Sequence, residues 1–288
     1  MKNKSGAKIM LSVSMAIFGT LGLFTRNILL SSGELALYRA VLASGVILIY
    51  LAVSKQRIDL KAIKKEIPLL LLSGIAMGIN WILLFQSYKY TTISIATLSY
   101  YFAPVIVTVI CPFLFHEKLT GKQIFCFCMS TVGLVLIIGI GNMGQGGNDL
   151  LGILFGLGAA VFYAAVILLN KFIKKVAGVH RTLFQFFAAI LILIPYVACT
   201  GSVHLTELNT SGWICLLTVG IVHTGITYCM YFSALKDLTG QEAAILSYID
   251  PLVAVLVSVA ILGERMTFMQ ALGGMLILGF TLWNEKKS

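Results

Sequence analysis

Two titratable side chains interrupt long apolar stretches of this sequence. Asp250 lies within the apolar segment 243–263, directly before Pro251, and His223 lies near the middle of the segment 208–235. A carboxyl group or an imidazole in such surroundings can bind a cation or relay a proton. Pro251 has no N–H group, so a backbone carbonyl of the preceding turn stays available for another contact. Each side chain also has an ordinary alternative role, a hydrogen bond that joins two helices.

Other polar and aromatic side chains fall deep within apolar segments. Sites for small ligands combine apolar and aromatic walls with a few polar groups, and aromatic rings also suit a cationic ligand. Any single ring is explained as well by packing between helices. As a set, these side chains predict a substrate-binding cavity formed by Asn80, Trp81, Tyr100, Tyr101, Tyr163, His223, Tyr248 and Asp250.

Arg39 stands close to one end of the second apolar segment. Its long side chain could reach the membrane interface from there, a behaviour called snorkelling. The alternative is a structural role, which is the one we expect. Glu117 and Glu264 are each followed by a basic residue and a threonine, which predicts turn and helix-cap elements.

Catalytic chemistry has little support in the sequence. Position 120 holds Thr120, so the pair His116-Glu117 does not complete an H-E-x-x-H zinc motif. No paired carboxylates, metal-ligand spacing or Ser/His/Asp set is evident. We therefore expect no catalytic residue, no metal and no cofactor, although a membrane-embedded enzyme, a channel and a receptor remain open as alternatives to a carrier.

Ten apolar segments must position these side chains. Of the 288 residues, 59% are hydrophobic and 11% are charged, against about 25% charged in ordinary soluble domains. A bilayer core needs roughly 20 helical residues per span, and the period-two alternation of a membrane β-barrel is absent. The composition predicts an all-α membrane protein with ten transmembrane helices, at residues 9–25, 40–54, 67–88, 90–115, 123–148, 150–170, 182–203, 208–235, 243–263 and 266–284.

The net charge of +10 reflects membrane orientation. With the N-terminus inside, seventeen of the 21 lysines and arginines fall on the cytoplasmic side, as the positive-inside rule requires. The bias predicts cytoplasmic N- and C-termini in a bacterial inner membrane, and it removes nucleic acid from the expected partners. The expected partners are a small-molecule substrate, the lipid bilayer and protons, and the protein is expected to be a monomer or a homodimer.

The second half of the chain repeats the first at an offset of 147 residues. In this register Tyr101 falls on Tyr248, Pro104 on Pro251, and Glu117 on Glu264. The repeat predicts two units, residues 1–144 and 145–288, of five spans each. Because five is odd, the second unit would enter the membrane from the opposite side, giving an inverted repeat.

The repeated stretches resemble the EamA-type members of the drug/metabolite transporter superfamily. The resemblance lies in three motifs, which are Leu-Tyr-Arg-Ala at 37–40, Phe-Gln-Ser-Tyr-Lys-Tyr-Thr at 85–91 leading to Ala-Pro-Val at 103–105, and His-Glu-Lys-Leu-Thr-Gly-Lys-Gln at 116–123, echoed at 263–270. It covers nearly the whole chain. For Arg39, in the first motif, the resemblance implies a structural tie between helices or an outer gate. The resemblance implies two inverted five-helix halves around a central cavity and transport of amino acids, other metabolites or drugs, commonly outward.

A carrier of this kind would work by alternating access. The two halves would rock around a site near the membrane midplane. The chain has no Walker A motif, so energy would come from the substrate gradient or from proton exchange. Asp250 and His223 are the internal titratable candidates for proton exchange.

Overall fold

The described part of the chain is helical in this computed structural model. The description covers residues 4–55, 60–115, 120–138, 148–173, 175–176, 178–200, 204–235, 237–238, 246–247 and 249–285. The α-helices are α1 (Lys4–Gly19), α2 (Leu21–Thr25), α3 (Ser32–Val53), α4 (Leu60–Tyr90), α5 (Ile93–Tyr100), α6 (Ala103–Phe115), α7 (Gly121–Ile138), α8 (Asn148–Phe172), α9 (Gly178–Thr200), α10 (Thr210–Leu217), α11 (Thr227–Leu235), α12 (Ile249–Ala260) and α13 (Phe268–Glu285). A π-helix (Thr218–Ile226) joins α10 to α11, and a short 3₁₀ turn spans Leu205–Glu207.

Long apolar helices dominate the described residues, and they make the chain a multi-pass membrane protein. Six helical stretches are long and apolar enough to cross a bilayer, and four shorter apolar helices fall in the remaining predicted segments. The all-helical class predicted from composition is confirmed for the described residues. Ten spans in an inverted repeat stay a prediction, as do the unit boundaries 1–144 and 145–288.

Helix α3 begins at Ser32, several residues before the predicted start at residue 40. A capping box explains the earlier start, because the Ser31 hydroxyl accepts from the Glu34 N–H and the Glu34 carboxylate accepts from the Ser31 N–H. Glu34 is fully buried and also accepts from the backbone N–H of His204 at 2.7 Å. The longer helix carries Arg39 about 10 Å along its axis from the first residue.

Three of the predicted spans are interrupted helices. Thr20 separates α1 from α2, and residues 101–102 separate α5 from α6. The third is α10, which continues through the π-helix into α11. Irregular backbone at membrane depth is tolerated where it is buried in protein or lines a cavity. The three interruptions therefore point to one interior region.

Helix α4 packs along α8 and α9, and polar contacts along it show how far the bundle extends. Near one end of α4, the Ser87 hydroxyl donates to the Gly152 carbonyl at 2.7 Å, and in the middle the Asn80 amide donates to the Ala159 carbonyl at 2.6 Å. Near the other end, Glu66 accepts from the Lys175 backbone N–H at 3.0 Å. Glu66 and Ser87 are separated by about 30 Å along the helix axis, close to the thickness of a bilayer core.

Candidate substrate-binding cavity

A cavity of about 230 Å³ lies between the helices. Five of the sequence-predicted site residues line it, namely Trp81, Tyr100, Tyr101, Tyr163 and Asp250. The other lining residues come from predicted spans one, three, four, six, seven, eight and nine, and from Arg39 just before the second span. They are Met15, Phe18, Leu21, Arg39, Met77, Leu84, Tyr88, Thr97, Val166, Ile167, Asn170, Gln185, Tyr228, Tyr231, Phe232 and Ser247.

Asp250 lies in the first turn of α12 and is held by Tyr101. The Tyr101 hydroxyl donates to Oδ2 of Asp250 at 2.7 Å, and the same hydroxyl lies 3.4 Å from the Ser247 carbonyl oxygen. Pro251 has no N–H to offer that carbonyl. Tyr101 follows the last residue of α5, so the interruption between α5 and α6 brings its ring to the carboxyl group.

Close approach of α1 places the Asp250 backbone at the cavity wall. A Cβ atom at Gly19 would lie 2.5 Å from the Asp250 carbonyl oxygen and 2.7 Å from Cβ of Val253. Both distances are well inside van der Waals contact, so any side chain at Gly19 would push α1 and α12 apart. Glycine is required here for space.

Stacked and edge-on aromatic rings form much of the cavity wall. Tyr100 stacks on Tyr163 with ring centroids 5.0 Å apart, and Tyr101 meets Tyr100 edge-on at 5.8 Å. Trp81 meets Phe186 edge-on at 5.4 Å. Such pairs fix ring orientation, so the wall is rigid and presents both ring faces and hydroxyl groups.

Arg39 points into the interior of the protein, which makes the snorkelling interpretation wrong. The residue is 3% exposed, and its guanidinium lies over the Trp81 ring at 4.6 Å and over the Phe85 ring at 5.5 Å. Its Nε donates to the Thr224 hydroxyl at 2.7 Å. The structural tie expected from the sequence therefore has a partner, and the same side chain also lines the cavity.

The remaining predicted residues lie elsewhere. His223 is in the π-helix, with Nε2 2.9 Å from the Thr20 hydroxyl, and it is not among the residues that line the cavity. This contact matches the alternative of a histidine that joins two helices. Asn80 is buried and bonded to α8, also off the cavity wall. Tyr248 lies outside the described residues.

Sequence reasoning missed several polar cavity residues, among them Gln185 and Asn170. The Gln185 amide donates to the Ser73 hydroxyl at 2.7 Å and to the Asn170 side-chain oxygen at 2.9 Å. An amide inside the apolar segment 182–203 was a usable signal, because such groups are costly in a membrane without partners. Asn170 gave a weaker signal, since it ends its predicted segment.

A polar cluster, which we call the Arg26 cluster, joins helix ends beside the last turn of α4. It consists of Arg26, Ile93, Ser94, Ser258 and Glu264. The buried Glu264 carboxylate pairs with Arg26, accepts from the Ser258 hydroxyl, and accepts from the Ile93 N–H at 2.9 Å. The Ser94 hydroxyl donates to Ser258 at 2.7 Å. The cluster therefore ties the end of α2 to the start of α5 and the end of α12.

A second cavity, of about 560 Å³, lies at this same end of the bundle. We call it the vestibule, and Arg26, Lys89 and His204 are among its lining residues. Tyr88 lines both the vestibule and the central cavity. The two spaces are therefore neighbours with an aromatic ring between them.

The prediction of a helix cap after Glu264 is confirmed. The Gln270 N–H donates to the Thr267 hydroxyl at 3.2 Å, and the Thr267 N–H donates to the Gln270 side chain at 2.9 Å. Glu264 itself has a wider role than the turn expected from the sequence, since it binds three other chain segments. Glu117 lies outside the described residues.

Within the described ranges, no group of three or more His, Cys, Asp or Glu side chains is placed to hold a metal ion. The arrangement offers recognition chemistry instead. It combines one carboxyl group, one guanidinium, several tyrosine hydroxyls and broad aromatic faces in one cavity.

The chain is similar to known transporters along nearly its whole length. The model of the EamA-like transporter family matches residues 6–139 and 150–284. An uncharacterized transporter of Bacillus subtilis (strain 168), YxxF, is 32% identical over 278 residues, which cover 96% of this chain and 88% of the relative. An uncharacterized transporter of Clostridium kluyveri is 26% identical over 243 residues, 82% of this chain and 78% of the relative.

Similarity to a solved structure concerns the fold. A crystal structure superposes with a TM-score of 0.67, covers 96% of this chain and 95% of its own, and is 18% identical in sequence. At that identity the match shows a shared fold alone. The helical arrangement described above is therefore one that a solved protein also adopts.

Proposed function

The chain belongs to the EamA-like transporter family, and from that membership we propose that it is a secondary transporter that moves a small metabolite by alternating access. The solute is an amino acid, an organic cation or a small drug, bound in the central cavity. The observation that carries the proposal is the cavity itself, a space between the helices with aromatic walls and with Arg39 and Asp250 among its lining residues.

The size of the cavity favours a small solute. Its volume of about 230 Å³ lies below the roughly 300–1,000 Å³ typical of sites for drug-sized ligands. Its walls offer aromatic faces from Trp81, Tyr100 and Tyr163 to an apolar group of the solute. A compact amphipathic molecule fits this combination better than a large drug.

Interrupted helices at the cavity support a carrier. Thr20, at the break between α1 and α2, lies 2.9 Å from His223 in the π-helix, and Tyr101 follows the end of α5. Carriers commonly build their sites from such discontinuous helices near the membrane midplane. A helical bundle without an internal site does not need interrupted helices.

The Arg26 cluster and Tyr88 support alternating access. Between the central cavity and the vestibule stands the Tyr88 ring, and the ion pair between Arg26 and Glu264 joins the surrounding helix ends. Arg26 is 38% exposed in its side chain, whereas Glu264 is only 6% exposed and also accepts from Ser258 and from the Ile93 N–H. When Arg26 moves into water, these two donors still bond the buried carboxylate, so the pair can separate as the cavity opens toward the vestibule.

Ten spans in two inverted halves complete the proposal. The matched stretches 6–139 and 150–284 support two units of similar length, and the lysine and arginine bias supports cytoplasmic termini in a bacterial inner membrane. In that orientation the vestibule faces outward. The proposed direction is export, as the family resemblance implies, and its test is accumulation of labelled solute in cells with and without the protein.

Counterflow in proteoliposomes tests the carrier function. Vesicles loaded with one unlabelled compound from a panel of amino acids, amines and drugs are given the same compound in labelled form. A carrier gives saturable, transient accumulation of label for one class of compound. Flux that does not saturate indicates a channel, and chemical conversion of a panel compound indicates an enzyme.

A matched pair of tryptophan variants links transport to the cavity. Trp81 lines the cavity and is 4% exposed, whereas Trp213 is 38% exposed on the outer surface of the bundle. Trp81→Leu should raise the half-saturating concentration about tenfold or more through loss of an aromatic contact. Trp213→Leu should leave it unchanged. Equal effects of the two substitutions would contradict a solute site in this cavity.

A further inference from the structure

Arg39 is a buried cation whose hydrogen-bonding capacity is mostly unused. It is 3% exposed, and Nε donates to Thr224 while Nη1 is buried without any hydrogen-bond partner. A guanidinium offers five N–H groups, and Thr224 is the only residue of the described chain that accepts from it. It forms no ion pair with any carboxylate in the described part of the chain.

An unsatisfied guanidinium is expensive at this depth. Burial of a charge without a counter-ion costs several kcal/mol, and charged side chains inside transmembrane helices mark substrate or ion pathways by default. The contact with the Trp81 ring, at 4.6 Å, offsets only part of that cost. Arg39 therefore has no anionic partner in the described part of the chain, and an anionic ligand could supply one from the cavity.

Thr224 holds the guanidinium in one orientation. The Thr224 hydroxyl donates its hydrogen to the Val219 carbonyl at 2.8 Å, a spacing that the π-helix makes available. Its proton is thereby used, so toward Arg39 the oxygen can act only as an acceptor, and it accepts from Nε at 2.7 Å. The Nη groups are left for another partner.

Asp250 supplies the complementary charge in the same cavity. Among the described lining residues, Arg39 and Asp250 are the only ones with a formal charge. Tyr101 donates to one oxygen of Asp250. Arg39 and Asp250 form no ion pair with each other in the described structure. A cavity with one cationic and one anionic group, kept apart, matches a ligand with the opposite pair of charges.

We propose that Arg39 binds the carboxylate of the transported solute and Asp250 binds its cationic group, so that the carrier selects a small zwitterion. This inference rests on the function proposed above and narrows it. Carboxylate geometry suits a guanidinium because two parallel hydrogen bonds can form. A dianion is disfavoured by Asp250, and a simple organic cation leaves Arg39 without its counter-ion. The aromatic wall takes the apolar body of the solute.

Matched sets of three compounds test the proposal with the purified full-length protein. One set is phenylalanine, phenethylamine and 3-phenylpropionate, and the other is leucine, isoamylamine and 4-methylpentanoate. Thermal stabilisation in detergent measures binding, and counterflow measures transport. At least one zwitterion should bind about tenfold to hundredfold more tightly than both of its single-charge analogues, since each lost contact is a hydrogen bond to a charged group.

Substitutions assign each charge to its residue. Arg39→Gln should remove the preference for the zwitterion over the amine, with amine binding retained. Thr224→Val should weaken that preference severalfold, because the guanidinium loses its orienting contact while the side-chain shape is kept. Arg265→Gln, at an exposed arginine off the cavity, should leave all three affinities unchanged. Arg39→Lys, which retains the charge, should recover part of the preference and guards against a folding defect in Arg39→Gln.

The outcomes separate this inference from the carrier function. Saturable counterflow in which amines or acids bind as tightly as zwitterions would overturn the zwitterion proposal and leave the carrier intact. Binding of a zwitterion without counterflow would support the site and contradict the carrier. An equal loss of all three ligands in Arg39→Gln and Thr224→Val, with unchanged melting temperatures, would overturn the role of Arg39. No stabilisation by any of the six compounds would overturn the proposal as well.

Discussion

Two buried polar regions of this protein differ in how completely their groups are bonded. One, which we call the Glu66 cluster, consists of Glu66, Ile173, Lys175, Val176 and Arg181. There the Glu66 carboxylate accepts from two backbone N–H groups, and Arg181 donates to the Ile173 carbonyl at 2.8 Å and to the Val176 carbonyl at 3.0 Å. These bonds organise the connection between α8 and α9.

In the cavity, by contrast, the buried polar groups are only partly hydrogen-bonded. Arg39 uses one donor on Thr224 and keeps Nη1 without a partner, and Asp250 receives a single side-chain hydrogen bond, from Tyr101. Buried polar groups with a structural role normally have hydrogen-bond partners within the protein. Buried groups that the fold leaves without partners are available to a ligand. We therefore expect the Glu66 cluster to serve stability and the cavity to serve recognition.

The largest effect expected is on stability, from Glu66→Ala. The substitution removes the buried carboxylate that accepts from the N–H groups of Lys175 and Val176, and it leaves the buried Val176 N–H without that acceptor. The free energy of unfolding should fall by about 3 kcal/mol, measured by SDS titration in mixed micelles. Glu207→Ala, at an exposed position, is the control and should change stability by less than about 0.5 kcal/mol. A stable Glu66→Ala protein with lost transport would reverse the assignment.

Asp250→Asn should show the converse, lost transport in a stable protein. Asparagine keeps the size of the side chain and can still accept from the Tyr101 hydroxyl, so the fold should change little. Transport should fall about tenfold to hundredfold through loss of one charge-assisted contact, measured as counterflow rate. Asp149→Asn, at an exposed start of α8, is the matched control.

A pH gradient applied to the same vesicles tests proton coupling. If protons are exchanged through Asp250, the response of the wild-type protein to the gradient should vanish in Asp250→Asn. Intact transport with an intact response would show that this aspartate has no coupling role.

Much of the cavity could be predicted from single residues. Trp81, Tyr101, Tyr163 and Asp250 are visible because each is aromatic or charged at a depth where apolar residues are the rule. Arg39 could not be placed correctly, because polar residues before it hide the first turns of α3. In the structure a capping box at Ser31 begins these turns, and the buried Glu34 is also bonded to His204.

Contacts between distant segments could not be predicted from the sequence, for a different reason. The pair Arg26 and Glu264 joins positions far apart in sequence, and which helices are neighbours cannot be read from hydropathy. The π-helix was equally hidden, since its residues Thr218–Ile226 form an ordinary apolar run with His223 in it. Within it, Thr224 bonds to the Val219 carbonyl and to Arg39 of another helix, and that second contact is not visible in the sequence.

Gly19→Ala probes how the backbone positions Asp250. The added methyl group would overlap the Asp250 carbonyl oxygen, so α1 and α12 must separate. We expect about 1–2 kcal/mol of lost stability from this overpacking and a severalfold higher half-saturating concentration, measured by thermal melting and counterflow. Gly45→Ala has open space around its Cβ position and should be neutral or slightly stabilising. Similar results for both glycines would mean that the contact between α1 and α12 does not position the carboxyl group.

The smallest effect is expected at the Arg26 cluster, from Glu264→Gln. Glutamine keeps an oxygen that can accept from the Ile93 N–H, and the 38% exposed Arg26 side chain is rehydrated. Loss of the ion pair should therefore shift the open-to-closed ratio by a few-fold, about 1 kcal/mol. The readout is the rate at which a hydrophilic maleimide labels Leu84→Cys, a cavity position, in a background without native cysteines. Labelling should accelerate in Glu264→Gln and stay unchanged in Glu207→Gln, which alters an exposed carboxylate off the cavity. An unchanged rate in both would show that the Arg26 cluster, like the Glu66 cluster, holds the fold and takes no part in access.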